Sequence, residues 1–269
     1  MRRIMSGPVM MAVLIAAAAP SWAQDEEAQG QGDVAREQRV LYSSTFWKKG
    51  SNKIEGLYTV VERPDGTRVV RLGKDFRTKK GPDLKIVLSP RTFEKVTKKN
   101  VLDGGLVLGL LRSNEGAQEF VIPEGTKLDR YKSIAIHCEK YTKLWGAAPL
   151  FKGEVVASGG TWTKKTKTTK GRYEIVKRSD SMYIRFSADF KTARPPEPLR
   201  ILLSPMDPKG ASNDNAEEGA LFIAELTSIK GSQEYRLPDG VELSAYRSVH
   251  LNCRKYTKLW STAPLSRRR

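Results

Sequence analysis

At 269 residues the chain is long for one domain, and 39% hydrophobic against 29% charged residues excludes a wholly disordered polymer. Lys and Arg outnumber Asp and Glu 47 to 30, which reads either as a solvated basic surface with no dedicated ligand or as a surface for acidic partners, and names none. Two cysteines and two histidines, with no Cys-x-x-Cys-His, exclude covalent c-type haem attachment.

The chain opens on Met1-Arg2-Arg3, an apolar run from Gly7 to Ala19, and small residues at Ser21 and Ala23. This pattern predicts a secretory signal peptide over 1–23 with cleavage after Ala23, and hence a periplasmic or secreted protein. The run is too short to cross a bilayer, and no later segment is apolar enough, so no transmembrane segment is expected. Export also turns the basic surface away from nucleic acid and toward anionic lipid, acidic polysaccharide or an acidic envelope protein. Residues 24–38 bury little and read as a disordered leader.

From there the sequence repeats. An offset of 115 links Trp47 with Trp162, Gly56-Leu57-Tyr58 with Gly171-Arg172-Tyr173, and Leu88-Ser89-Pro90 with Leu203-Ser204-Pro205. It also links Gly116 to Phe120 with Gly231 to Tyr235, and the eight residues Cys138 to Trp145 with Cys253 to Trp260. Asp75-Phe76 and Asp189-Phe190 are one residue closer, which places a one-residue insertion or deletion on each side of that pair. The period is too long for a solenoid unit, so each copy is a domain. The copies run over 39–150 and 154–265, and 266–269 form a basic tail.

Within each copy the elements are strands. Leu57 to Val61 and Thr67 to Leu72 flank Pro64-Asp65-Gly66, a hairpin signal because glycine tolerates the positive φ of the turn. Lys85 to Leu88 and Phe120 to Ile122 are further short runs of β-favouring residues. The second-copy counterpart of Arg91 to Asp103 is full of Asp, Asn, Gly and Pro, so both segments read as loops. The expectation is an all-β protein, two tandem copies of a small β-sandwich or barrel.

In Ile134-Ala135-Ile136-His137-Cys138, strand alternation puts the thiol with the isoleucines and His137 on the opposite face. Val249-His250-Leu251-Asn252-Cys253 repeats the arrangement. Three roles stay open for Cys138 and Cys253: a small buried hydrophobe, a redox or cofactor-ligating centre, or an inter-repeat disulfide. The odd His–Cys separations disfavour a local metal pair, and no metal site is predicted. No Ser/His/Asp set recurs in both copies and no phosphate-cradling loop appears, so no catalytic residue is predicted. Lys164, Lys165, Lys167 and Lys170 form a basic strip with a less charged first-copy counterpart, a candidate polyanion contact specific to the second copy.

Four features recur in order: Gly-x-Gln-Glu-aromatic, Pro-acidic-Gly-x-x-Leu, Tyr-x-Ser-aliphatic and Cys-x-x-aromatic. With Asp75-Phe76 and Gly81-Pro82-Asp83-Leu84 they resemble the DM-thirteen domain of Skeletor-type extracellular and bacterial exported proteins. The resemblance covers nearly all of both copies. It implies an all-β fold and electron transfer centred on Cys138 and Cys253, with a redox partner protein. A haem is implied by that analogy only, and requires the cysteine to sit at the mouth of a pocket. The second copy departs from the pattern at Pro195 to Leu199, and His137 and Asn252 stand where the family carries an aromatic. The alternative is a non-catalytic binding module of the envelope that uses its basic surface.

Overall fold

The computed structural model describes residues 37–46, 49 and 52–268, so the expected signal peptide, most of the expected leader and Trp47 lie outside the described residues. The first copy runs β1 (Arg39–Thr45), β2 (Ile54–Glu55), β3 (Leu57–Glu62), β4 (Arg68–Leu72), β5 (Arg77–Thr78), β6 (Leu84–Ser89), β7 (Leu106–Leu110), β8 (Gln118–Ile122), β9 (Ser133–Cys138) and β10 (Lys143–Pro149). The second runs β11 (Glu154–Gly159), β12 (Thr163–Lys164), β13 (Tyr173–Arg178), β14 (Ser181–Phe186), β15 (Arg200–Ser204), β16 (Leu221–Glu225), β17 (Gln233–Arg236), β18 (Ser248–Cys253), β19 (Lys258–Pro264) and β20 (Ser266–Arg267). Among the described residues the helical elements are two 3₁₀ turns, Leu128–Arg130 and Leu243–Ala245.

Each copy is a sandwich of two antiparallel sheets. In the first, β1-β3-β4-β8 faces β10-β9-β6-β7, with β2-β5 at one end; in the second, β17-β14-β13-β11-β20 faces β12-β19-β18-β15-β16. The inward residues of both sheets, such as Tyr58, Val60 and Val70 from one and Ile86, Ile134 and Ile136 from the other, merge into a single buried cluster. That merging, with the two sheets remaining separate, makes the architecture a sandwich rather than a closed barrel. The outer face of the second sheet is partly covered. The 90–105 loop lays Phe93, Val96 and Val101 over Val87, Ala135 and Ala147, which explains why β9 is buried on both faces.

Turn chemistry locates the one-residue offsets. Glu62 pairs with Arg68 across five residues that include Gly66 at φ 81°, whereas the equivalent Lys177 pairs with Met182 across four. The second hairpin has therefore lost one residue, which is restored before β15. Gly56 and Gly171 do the same work in both copies, with φ of 109° and 90°. A Cβ on either would lie 2.5 Å from the Cα of Phe76 or Phe190, so only glycine lets these segments cross.

The two copies share a sealed interface. Ser43 Oγ donates to the carbonyl of Gly153 at 2.9 Å and accepts from Val155 N at 2.7 Å. Lys152 bridges Tyr42, and Gly153 N donates to Leu41 O. In the second copy β20 pairs with β11, and Arg268 N donates to Val156 O. The connector after Leu150 is thus hydrogen-bonded along β1 of the first sandwich, and the residues read from sequence as a basic tail extend a sheet of the second. The Arg268 guanidinium then reaches Asp75 of the first copy at 3.3 Å.

Candidate functional site

Cys138 ends β9, opposite Leu84 of β6 and Lys143 of β10. The side-chain alternation of the strand sends its sulfur into the sandwich with Ile134 and Ile136, and the residue is fully buried. Its thiol donates to the Pro82 carbonyl at 3.0 Å. Trp145 completes the wall. Leu144 pairs with His137 and Gly146 with Ile136, so Trp145 is the extra residue of a β-bulge. The bulge lies on the partner strand, which leaves the facing of Cys138 intact and turns the indole into the core. Trp145 Nε1 donates to Lys79 O at 3.1 Å. The Lys79–Asp83 segment is thereby tied down at both ends over the thiol. Gly81 sits against the indole so closely that a Cβ there would lie 2.7 Å from the ring.

The second copy rebuilds this geometry around Cys253, also fully buried, with Trp260 as the bulged residue between the Leu259 and Ser261 pairings. One partner differs. Glu197 occupies the place of Pro82, its Oε1 standing 4.0 Å from Cys253 Sγ and accepting from the backbone N of Lys255. In sequence, Pro195 to Leu199 shows only a departure from Gly-Pro-Asp-Leu. The departure sets a carboxylate beside one thiol and a carbonyl beside the other.

Directly after each cysteine the chain turns back at the surface. Tyr141 and Tyr256 are each 55% exposed, with Lys140 and Lys255 ammonium groups 5.8 and 5.7 Å from their ring centroids. Thr142 and Thr257 hold φ of 46° and 48°, a left-handed conformation that β-branched residues rarely adopt. A buried sulfur is thus three residues from an exposed aromatic ring in both copies.

Neither histidine joins the sulfurs. His137 faces away from the sandwich interior, opposite Lys85 and Leu144 in the ladder, and burial holds its pKa below 6.5 against the pull of Asp83. His250 donates from Nδ1 to Ala216 O at 3.1 Å with Ser248 Oγ 2.9 Å from Nε2; burial lowers its pKa too. Both cysteines are free thiols. A haem on either sulfur does not fit, because each lies inside the close-packed sandwich and not at a pocket mouth. Of the predicted lysine strip, Lys164, Lys167 and Lys170 line one cleft together with Lys191, while Lys165 Nζ turns aside to the Lys209 carbonyl at 3.3 Å. The tryptophans pack: Trp162 lies among Tyr173, Phe186 and Phe190.

No helix among the described residues is long and apolar enough to cross a membrane. No curated protein and no solved structure matches the chain. The profile of one family does, twice, over residues 45–150 and 161–265, each match containing the thiol, bulged tryptophan and exposed tyrosine turn of one copy. The chain belongs to the family described as Electron transfer DM13.

Proposed function

We propose that the protein is an exported, non-hydrolytic redox module in which Cys138 and Cys253 are the electron-exchanging groups. What supports this reading above all is the repeated placement of one lone thiol per domain, sealed in the core three residues from an exposed tyrosine. A sealed sulfur cannot attack a partner's disulfide, since thiol exchange needs access. Electron exchange across a few residues needs none. The step oxidises the sulfur by one electron to a thiyl radical, reduces a one-electron acceptor on a partner protein, and releases the thiol proton. In the second copy the Glu197 carboxylate neighbours that proton.

The test is titration of the whole protein with a one-electron oxidant such as hexachloroiridate, beside the Cys138→Ser, Cys253→Ser and double variants. Each single variant should consume one equivalent less and the double variant two. Equal consumption by parent and double variant would end the redox assignment. Export is checked separately, by N-terminal sequencing of the mature protein from the cell envelope or medium, which should begin at Gln24.

A further inference from the structure

The tertiary structure brings a few lysines of this basic chain, net charge +17, together on the second copy. Lys170, Lys191 and Lys230 stand opposite one another on three neighbouring antiparallel segments, through the bridges Lys170–Lys191 and Lys191–Lys230. Lys170 and Lys191 exchange both backbone hydrogen bonds, at 2.8 and 3.2 Å. Residues paired in this way send their side chains out of the same face about 5 Å apart, where like charges oppose folding. All three lysines are exposed.

The first copy has the same rung with a different charge pattern. Glu55 pairs with Arg77, and Arg77 bridges Glu115, so the signs alternate across the three segments. In the second copy both acids have become lysine and the central residue remains basic. The backbone is retained while a favourable charge row is exchanged for a repulsive one. A ligand that supplies the missing negative charge accounts for that exchange.

The surroundings narrow its chemistry. Lys170 and Lys191 line an open cleft of about 430 Å³ with Lys164, Lys167 and the threonines Thr166 and Thr192. Behind it, the buried Thr169 hydroxyl lies 2.9 Å from Oγ1 of the lining Thr192 and 2.7 Å from Ser261 Oγ. No Asp or Glu lines the cleft, no aromatic ring offers a stacking platform for a base or sugar, and no Arg offers a planar fork for a carboxylate. Ammonium groups acting as point charges suit tetrahedral phosphate oxygens.

We propose that this cleft of the second copy binds a linear oligophosphate, several phosphate groups joined in one chain. Calorimetry on the whole protein with tripolyphosphate, a longer polyphosphate, orthophosphate and polygalacturonate tests it. Tripolyphosphate should bind, the longer chain more tightly, and orthophosphate roughly tenfold more weakly or worse, because it meets fewer ammonium groups. The Lys170→Glu/Lys230→Glu variant restores the alternation of the first copy. It should lose tripolyphosphate affinity by about tenfold or more while its unfolding midpoint rises, since cross-strand repulsion is gone. Lys98→Glu/Lys99→Glu makes the same charge change on an exposed first-copy loop and should keep the affinity. The proposal falls if that control loses as much, if polygalacturonate binds as tightly as polyphosphate, or if no phosphate chain binds the folded protein. It falls too if the rung variant loses stability together with binding, which would make the lysines structural.

Discussion

Glu174 and Arg185 form an ion pair inside the interface between the two copies, with Nη2 2.6 Å from Oε2 and neither side chain more than 2% exposed. The first copy seals it. Thr45 donates to Glu174 Oε1 from both its backbone N and its hydroxyl at 2.6 Å, and Ser44 Oγ lies 3.1 Å from Oε2. Arg185 in turn donates to Ser43 O at 3.2 Å and lies 4.2 Å from the Phe151 ring centroid. The first copy has Thr59 and Arg71 at the matching ladder positions, so the pair belongs to the junction.

Glu174→Thr strands the buried guanidinium and should lower stability to urea by about 3–5 kcal/mol. Glu174→Thr/Arg185→Met, which leaves no stranded charge, should recover part of that loss. A single variant within about 1 kcal/mol of the parent would mean that the interface is not formed in solution.

Gly81→Ala should cost about 1–3 kcal/mol by driving a methyl group into the Trp145 ring. Both thiols of the parent should resist a thiol reagent until the protein unfolds, being fully buried. In Gly81→Ala the displaced indole should let Cys138 react first while Cys253 stays protected. Mass spectrometry of the labelled peptides distinguishes the two.

Acid should weaken the fold through its histidines. Burial holds both His137 and His250 below the ordinary value of 6.5, so on acidification the unfolded chain takes up protons that the folded chain refuses. Their contribution is complete above pH about 6.5 and declines as pH falls below it. Urea midpoints measured down from neutral pH should show the decline. His137→Leu should reduce the slope by removing one of the two titrating groups, at little other cost because Nδ1 of His137 has no hydrogen-bond partner to lose.

Alkali acts through the tyrosines with the opposite sign. Burial and the Asp129 carboxylate push Tyr42 up to about 12, and burial raises Tyr58 and Tyr173 well above 10. Below the ordinary value of 10 these groups are neutral in both states. Above it the unfolded chain ionises first, so stability falls as pH rises. Tyrosinate absorbance should therefore show these three titrating only with unfolding. Tyr173→Phe leaves the Pro264 carbonyl, now 2.7 Å from the hydroxyl, without its donor, and should cost about 1–3 kcal/mol.

Sequence alone determined the duplication, the strand character, the Asp65-Gly66 hairpin and the inward facing of Cys138 and Cys253. All of these rest on patterns local to the chain: a two-residue alternation reveals its face, and an Asp-Gly turn its hairpin, within a few residues. Only the tertiary structure decided what those faces meet. Trp145 turns inward because the pairing with β9 slips by one residue at its position. Glu197 reaches Cys253 across 56 residues of chain, and Glu174 reaches Thr45 across 129. The lysine row was half legible as a basic strip, but Lys191 and Lys230 join it through cross-strand register, which assembles residues far apart in sequence. Register is set by the packing of whole sheets, and for that reason charge, thiol chemistry and interface were settled only when the sandwiches closed.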